Sequence, residues 1–201
     1  MTDEKVICIR ISEISQLNDY LLGLAEEPRF VLLPRTEAEF SAVYAHLVVY
    51  PIVLINGRYL CYQRKSETEF RLDGNIAFFG GHVNVDDIEP STSLHEVITV
   101  ALQRELEEEL GKKLSDEVLF GASSVSTTSK YIGLIYSNAT EVDSVHIGYC
   151  ELRDVQLPNE DDIKAFPALR LYTHEELTEL VLAKKTDNWI RIALELKAKR
   201  D

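Results

Sequence analysis

Between Gly80 and Gly111 the chain carries two adjacent glycines, a loop, and a helical stretch ending Arg104-Glu105-Leu106-Glu107-Glu108-Glu109-Leu110-Gly111. At about 100° per residue, Leu94, Val97, Ile98 and Ala101 fall on one stripe of that helix. Glu105 and Glu108 continue the stripe, and Glu109 lies at its edge. That side packs on a sheet, so the pattern predicts carboxylates turned inward. Buried anions within one helical turn each cost several kcal/mol unless positive charge compensates them. A hard divalent cation supplies this, because Mg²⁺ takes oxygen ligands and keeps positions open for water and phosphate. The competing reading is a solvated acidic face in which Glu108 pairs with Lys112 and Glu109 with Lys113 at i, i+4. The apolar stripe and the Gly80-Gly81 hinge, where backbone approaches a ligand closely, favour the metal.

The flanking sequence predicts mixed strands and helices. Val6 to Ile11 is strand-like, Ile14 to Leu24 has helical spacing, and Thr36 with Glu39 forms a capping-box signature before Phe40, Val43, Tyr44 and Leu47. Val48 to Ile55 and Tyr59 to Tyr62 flank Asn56-Gly57, the strongest two-residue hairpin signal. Ile76 to Phe79 is a short strand. One of Ser91, Thr92 or Ser93 opens the acidic helix and Gly111 closes it. Val118 to Phe120, Tyr131 to Tyr136 and Val145 to Leu152 are strand-like, with a serine- and threonine-rich connection between the first two. Thr173 with Glu176, and Asp187 before Trp189, Ile192, Ala193 and Leu196, open two closing helices. The fold class is α/β or α+β, with a mixed sheet between helices.

The 201 residues include 34 acidic and 21 basic side chains, a formal charge of −13. That balance repels polyanions and argues against a nucleic-acid polymer as partner. A small phosphorylated ligand escorted by a cation remains compatible with it. No apolar stretch approaches the roughly 18 residues of a bilayer span. The N-terminus lacks a signal-peptide pattern, and Cys8, Cys61 and Cys150 suit buried thiols in a reducing, cytoplasmic setting.

The segment resembles the Nudix box, Gly-x5-Glu-x7-Arg-Glu-apolar-x-Glu-Glu-x-Gly-apolar. Glu96, seven residues, then Arg104 to Gly111 match position by position, and Phe79-Gly80-Gly81-His82-Val83 looks like the opening of the box. On this alignment about nine residues are inserted between Gly81 and Glu96, within Asn84 to Leu94, and Lys112 takes the last apolar position. The resemblance implies an α/β/α Nudix sandwich over residues 48–201, with residues 1–47 as an extension packed on the core or at a homodimer interface. It implies that Glu105, Glu108, Glu109 and the Gly81 carbonyl bind Mg²⁺ or Mn²⁺. Glu108 is the catalytic carboxylate, and an Arg104–Glu96 salt bridge orients the box.

Arg64, Arg71 and His82 are candidate substrate-binding residues, the arginines as partners for a diphosphate. Glu151, Glu160, Asp161 and Asp162 are candidates for a downstream metal ligand or base. The acidic inserted loop, Asn84 to Pro90, is expected to be exposed. The expected activity is metal-dependent hydrolysis of a nucleoside diphosphate linked to another group, or of a related diphosphate. Two alternatives share the fold. One is a nucleotide-sensing module without catalysis, which the dense carboxylate cluster disfavours. The other is an isopentenyl-diphosphate isomerase-like enzyme, disfavoured because Asp73 to Phe78 lacks the Cys-His-Pro-like context that reaction needs.

Overall fold

The computed structural model describes residues 4–64, 74–88, 93–120, 126–164 and 166–200. Among them, nine strands and seven helices give an α+β fold with a mixed sheet, as the pattern predicts. The chain divides into two compact units, Met1–Tyr50 with Gly80–Glu105 and Gly133–Cys150, and Pro51–Phe79 with Leu106–Ile132 and Glu151–Asp201.

In the first unit, β1 (Lys5–Arg10) lies between β2 (Phe30–Pro34) and the start of β3 (Tyr44–Ile55), antiparallel to both. With neighbours on both edges, β1 is a central strand, and Val6, Ile7, Cys8 and Ile9 are all fully buried. Helix α1 (Ile14–Leu21) follows it. The predicted helix from Thr36 through Leu47 does not form. Instead α2 is a single turn, Arg35–Ala38, and Glu39 pairs with Arg35 at 3.0 Å. The β-branched and aromatic run that begins at Tyr44 takes the chain into β3, and tertiary pairing overrides the local capping signal. Strand β6 (Gly81–His82) pairs with β3 in the register Val48 to His82 and Val49 to Gly81.

In the second unit, β3 turns through Asn56 and Gly57 into β4 (Arg58–Gln63). Both turn residues have positive φ, 51° and 79°, as a type I′ hairpin requires. Glu160 pins this turn by accepting from Asn56 Nδ2 and pairing with Arg58. Strand β4 also pairs with β5 (Ile76–Ala77) and β9 (Leu169–Tyr172). Helices α6 (His174–Leu182) and α7 (Asn188–Ala198) start at the expected caps, Thr173 and Asp187.

Helix α3 (Leu94–Phe120) carries the acidic run. Ser93 and Glu96 close a reciprocal cap at its start, with Ser93 N donating to Glu96 Oε2 at 2.7 Å and Glu96 N donating to Ser93 Oγ at 3.4 Å. At Gly111 the backbone leaves helical geometry, with φ 72° and ψ 153°. Helical backbone then resumes through Phe120, so Val118 to Phe120 is not the expected strand. An apolar run this short does not distinguish the two states by periodicity. Strand β7 (Ser126–Tyr136), the short α4 (Glu141–Ser144) and β8 (His146–Gln156) follow, then α5 (Asp161–Lys164).

Candidate active site

The buried ridge of α3 is the i, i+4 row Leu94, Ile98, Leu102, Leu106 and Leu110, each no more than 1% exposed. Such a row is inclined to the helix axis. It places the glutamates at the border of the buried face rather than within it. Glu105 is partly buried, while Glu108 and Glu109 are exposed, which corrects the expectation of inward carboxylates.

Arg104 is the hub of the first unit. Its Nε and Nη2 donate to the two oxygens of Asp87 at 2.8 and 2.9 Å, Nη1 donates to Glu105 Oε1 at 2.7 Å, and Nη2 also donates to the His82 carbonyl at 2.8 Å. Asp87 is only 2% exposed, so its charge is matched bidentately where an unpaired carboxylate would be costly. These bonds, foremost the one to Asp87, hold the guanidinium protonated well above the usual arginine range. Asp87 is itself fixed, because its Oδ2 accepts from Asn84 N at 2.9 Å and completes a capping box on the 3₁₀ turn Val85–Asp87.

Gly81 explains why a glycine is needed beside this cluster. A Cβ there would lie 2.1 Å from the Glu105 carboxylate, so the backbone makes room for that side chain. At Gly80 a Cβ would instead meet the Val49 carbonyl at 2.5 Å. In the second unit, loss of hydration and the neighbouring Glu108 carboxylate raise the Glu109 pKa, and Arg64 acts in the opposite direction. Lys112 lies 3.6 Å from Glu107 and 3.7 Å from Asp116.

No protein-family model matches the sequence, and no curated protein shows significant similarity to it. Solved structures do match. Tm1382, a Nudix hydrolase by its description, is 20% identical with a TM-score of 0.61, covering 96% of this chain and 98% of its own. DR0079 from Deinococcus radiodurans is 15% identical with a TM-score of 0.50, covering 85% and 93%. This chain has the Nudix fold.

Asp87, not Glu96, stands six positions after Gly81, with five residues between them as in the Gly-x5-acid pattern, and with aspartate in place of glutamate. Sixteen residues rather than seven then separate it from Arg104, so the nine extra residues follow the acid instead of preceding it. The expected Arg104–Glu96 bridge is replaced by Arg104–Asp87. Glu96 lies eight positions before Arg104 on one helix, about 12 Å along the axis, and its carboxylate is used by Ser93. Hydrogen bonds from the Ser93 backbone and hydroxyl lower the Glu96 pKa.

The remaining candidates separate clearly. His82 Nε2 lies 3.1 Å from His146 Nε2. Arg64 is 3.7 Å from Asp187. Arg71 and the end of the Asn84 to Pro90 loop lie outside the described residues. Of the downstream acids, Glu160 is engaged by Asn56 and Arg58, Glu151 lies 2.6 Å from Arg153 in a nearly buried pair, and Asp161 accepts from Asn159. The side chain of Asp162 is outside the described residues. Sequence reasoning passed over Asp87, although the Gly-x5-acid spacing was available to find it.

Proposed function

We propose that this chain is a divalent-metal-dependent Nudix pyrophosphohydrolase acting on a nucleoside diphosphate linked to another group, or on a related diphosphate. The observation that carries this reading is the Arg104 hub, which joins Asp87, the His82 carbonyl and Glu105 in one hydrogen-bonded unit. Such an arrangement fixes the position of Glu105 and of the backbone at Gly81. The donor set suits a hard cation: Glu105, Glu108 and Glu109 supply carboxylate oxygen and Gly81 a carbonyl. The close approach of Glu105 to Gly81 fits a carboxylate held ready for a positive charge.

These residues would hold Mg²⁺ or Mn²⁺, which when bound lowers the pKa of water and neutralises phosphate oxygens. Glu108, exposed on the helix, is the carboxylate positioned to accept a proton. Arg104 stays protonated and positions Glu105 without exchanging a proton. Arg64 is the described cation that would meet the substrate diphosphate.

The test is product analysis after incubation with a panel of nucleoside diphosphate derivatives and Mg²⁺, comparing wild type with Glu108→Gln. Cleavage at the diphosphate that falls at least about 100-fold in the variant, with an unchanged melting temperature, supports the reading. Equal rates in both proteins would remove Glu108 from the site. Absence of cleavage with Mg²⁺ and Mn²⁺ across the panel would favour a binding module.

A further inference from the structure

Three of the five histidines meet in the first unit. His46 on β3 and His82 on β6 share a face through the Val48–His82 register, since His46 is two residues from Val48. His146 opens β8, and His46 N donates to the carbonyl of Val145 just before it. The three ring centroids are 5.2, 4.7 and 5.3 Å apart, with interplanar angles of 49°, 45° and 49°. Three imidazoles bound tetrahedrally at about 2.05 Å would place their centroids about 5.2 Å apart.

The hydrogen bonding points the same way. His146 Nδ1 is 2.6 Å from the Val142 carbonyl, which only accepts, so the proton sits on Nδ1 and the lone pair on Nε2. This backbone bond is the supporting contact typical of a metal-ligating histidine. The 3.1 Å between the Nε2 atoms of His82 and His146 subtends about 100° at an ion 2.05 Å from each, close to tetrahedral. His46 is fully buried, and among the described residues neither ring nitrogen makes a hydrogen bond of good geometry, although the Ala38 backbone lies close enough to favour its protonated form. Each ring offers one nitrogen within 4.8 Å of the others.

We infer that His46, His82 and His146 form a second metal site, distinct from the carboxylate set, that binds a transition-metal dication such as Zn²⁺. Nitrogen donors select Zn²⁺, Co²⁺ or Ni²⁺ over Mg²⁺, whereas the glutamates prefer the hard ion. An ion held there would tie β3, β6 and β8 together and, with three protein ligands, would leave a fourth position to water. His82 also links this site to Arg104, which donates to its carbonyl.

The full-length chain, stripped with chelator and held in excess Mg²⁺, is titrated with Co²⁺ and then Zn²⁺. One equivalent of Co²⁺ should give the visible bands of low-coordinate cobalt, and Zn²⁺ should displace it. A Glu105→Gln, Glu108→Gln, Glu109→Gln variant should bind equally well, while His146→Ala should lose more than the about 100-fold that removing a supporting contact costs. In the wild type, Zn²⁺ should shift three of the five imidazole nitrogen resonances, a readout that does not depend on how a variant folds. No cobalt bands, unchanged affinity in a folded His146→Ala protein, shifts at other histidines, or loss of binding in the glutamine variant would each overturn the inference. Only the cleavage panel bears on the hydrolase reading, so the two fail separately.

Discussion

At the scale of single residues, Asp87 and Arg104 act as one unit. Arg104→Ala should cost about 3 kcal/mol, because it leaves the buried Asp87 charge unmatched, and Asp87→Ala should cost less, because Arg104 keeps Glu105 and the His82 carbonyl. The double variant should cost much less than the sum in a denaturation cycle. Glu96→Ala should instead cost about 1 kcal/mol as a lost cap and should be additive with Arg104→Ala. The adjacent glycines should separate fold from site. A Cβ at Gly81 first meets the carboxylate end of Glu105, so Gly81→Ala should lower the melting temperature only by the Arg104–Glu105 pair it displaces and should lose Mg²⁺-dependent turnover. A Cβ at Gly80 meets backbone, so Gly80→Ala should lower the melting temperature directly. The glutamates and Arg104 were legible in sequence because helix spacing is fixed. Asp87 was hidden for two reasons: aspartate replaces glutamate, and Glu96 fell at the expected distance for an unrelated purpose, its capping bond with Ser93.

Among elements, those with a local chemical signature were legible. The Asn56-Gly57 hairpin and the caps at Thr173 and Asp187 depend on residues within four positions of one another, and all form as the sequence predicts. The Thr36–Glu39 signature failed because β3 gains more from pairing with β1 than a marginal helix gains from a cap. Gly111 was legible as a stop but not as a break followed by more helix. With φ at 72°, Gly111→Ala should destabilise by about 1 kcal/mol, read from the denaturant midpoint at unchanged slope. An unaffected midpoint would mean the break has moved to a neighbouring residue.

For the whole molecule, the N-terminal segment is the least dispensable. Val6, Ile7 and Ile9 are fully buried, and their burial is worth about 6 kcal/mol together, on the order of a domain's net stability. A chain beginning at Tyr44 should therefore fail to give a cooperative melt. Phe40, Val43 and Leu32 on the same segment remain 88, 50 and 39% exposed, and the proposed homodimer would cover them. Light scattering should give twice the chain mass, reduced to the single mass by Phe40→Ser. All three cysteines are buried and none is in a disulfide, and burial pushes the Cys8 thiol up to about 12. A thiol reagent at pH 8 should therefore label the native chain slowly and reach three equivalents only in denaturant.

The ion pair between Asp87 and Arg104 also bears on how such chains diverge. Its two ends are fixed independently, one by the cap on a 3₁₀ turn and the other by a helix with its own cap, so the number of residues between them is under little selection. Insertions and deletions should accumulate there while both halves keep their internal spacing. Descendants of one ancestor would then drift out of register with any motif of fixed length, yet remain superimposable in space.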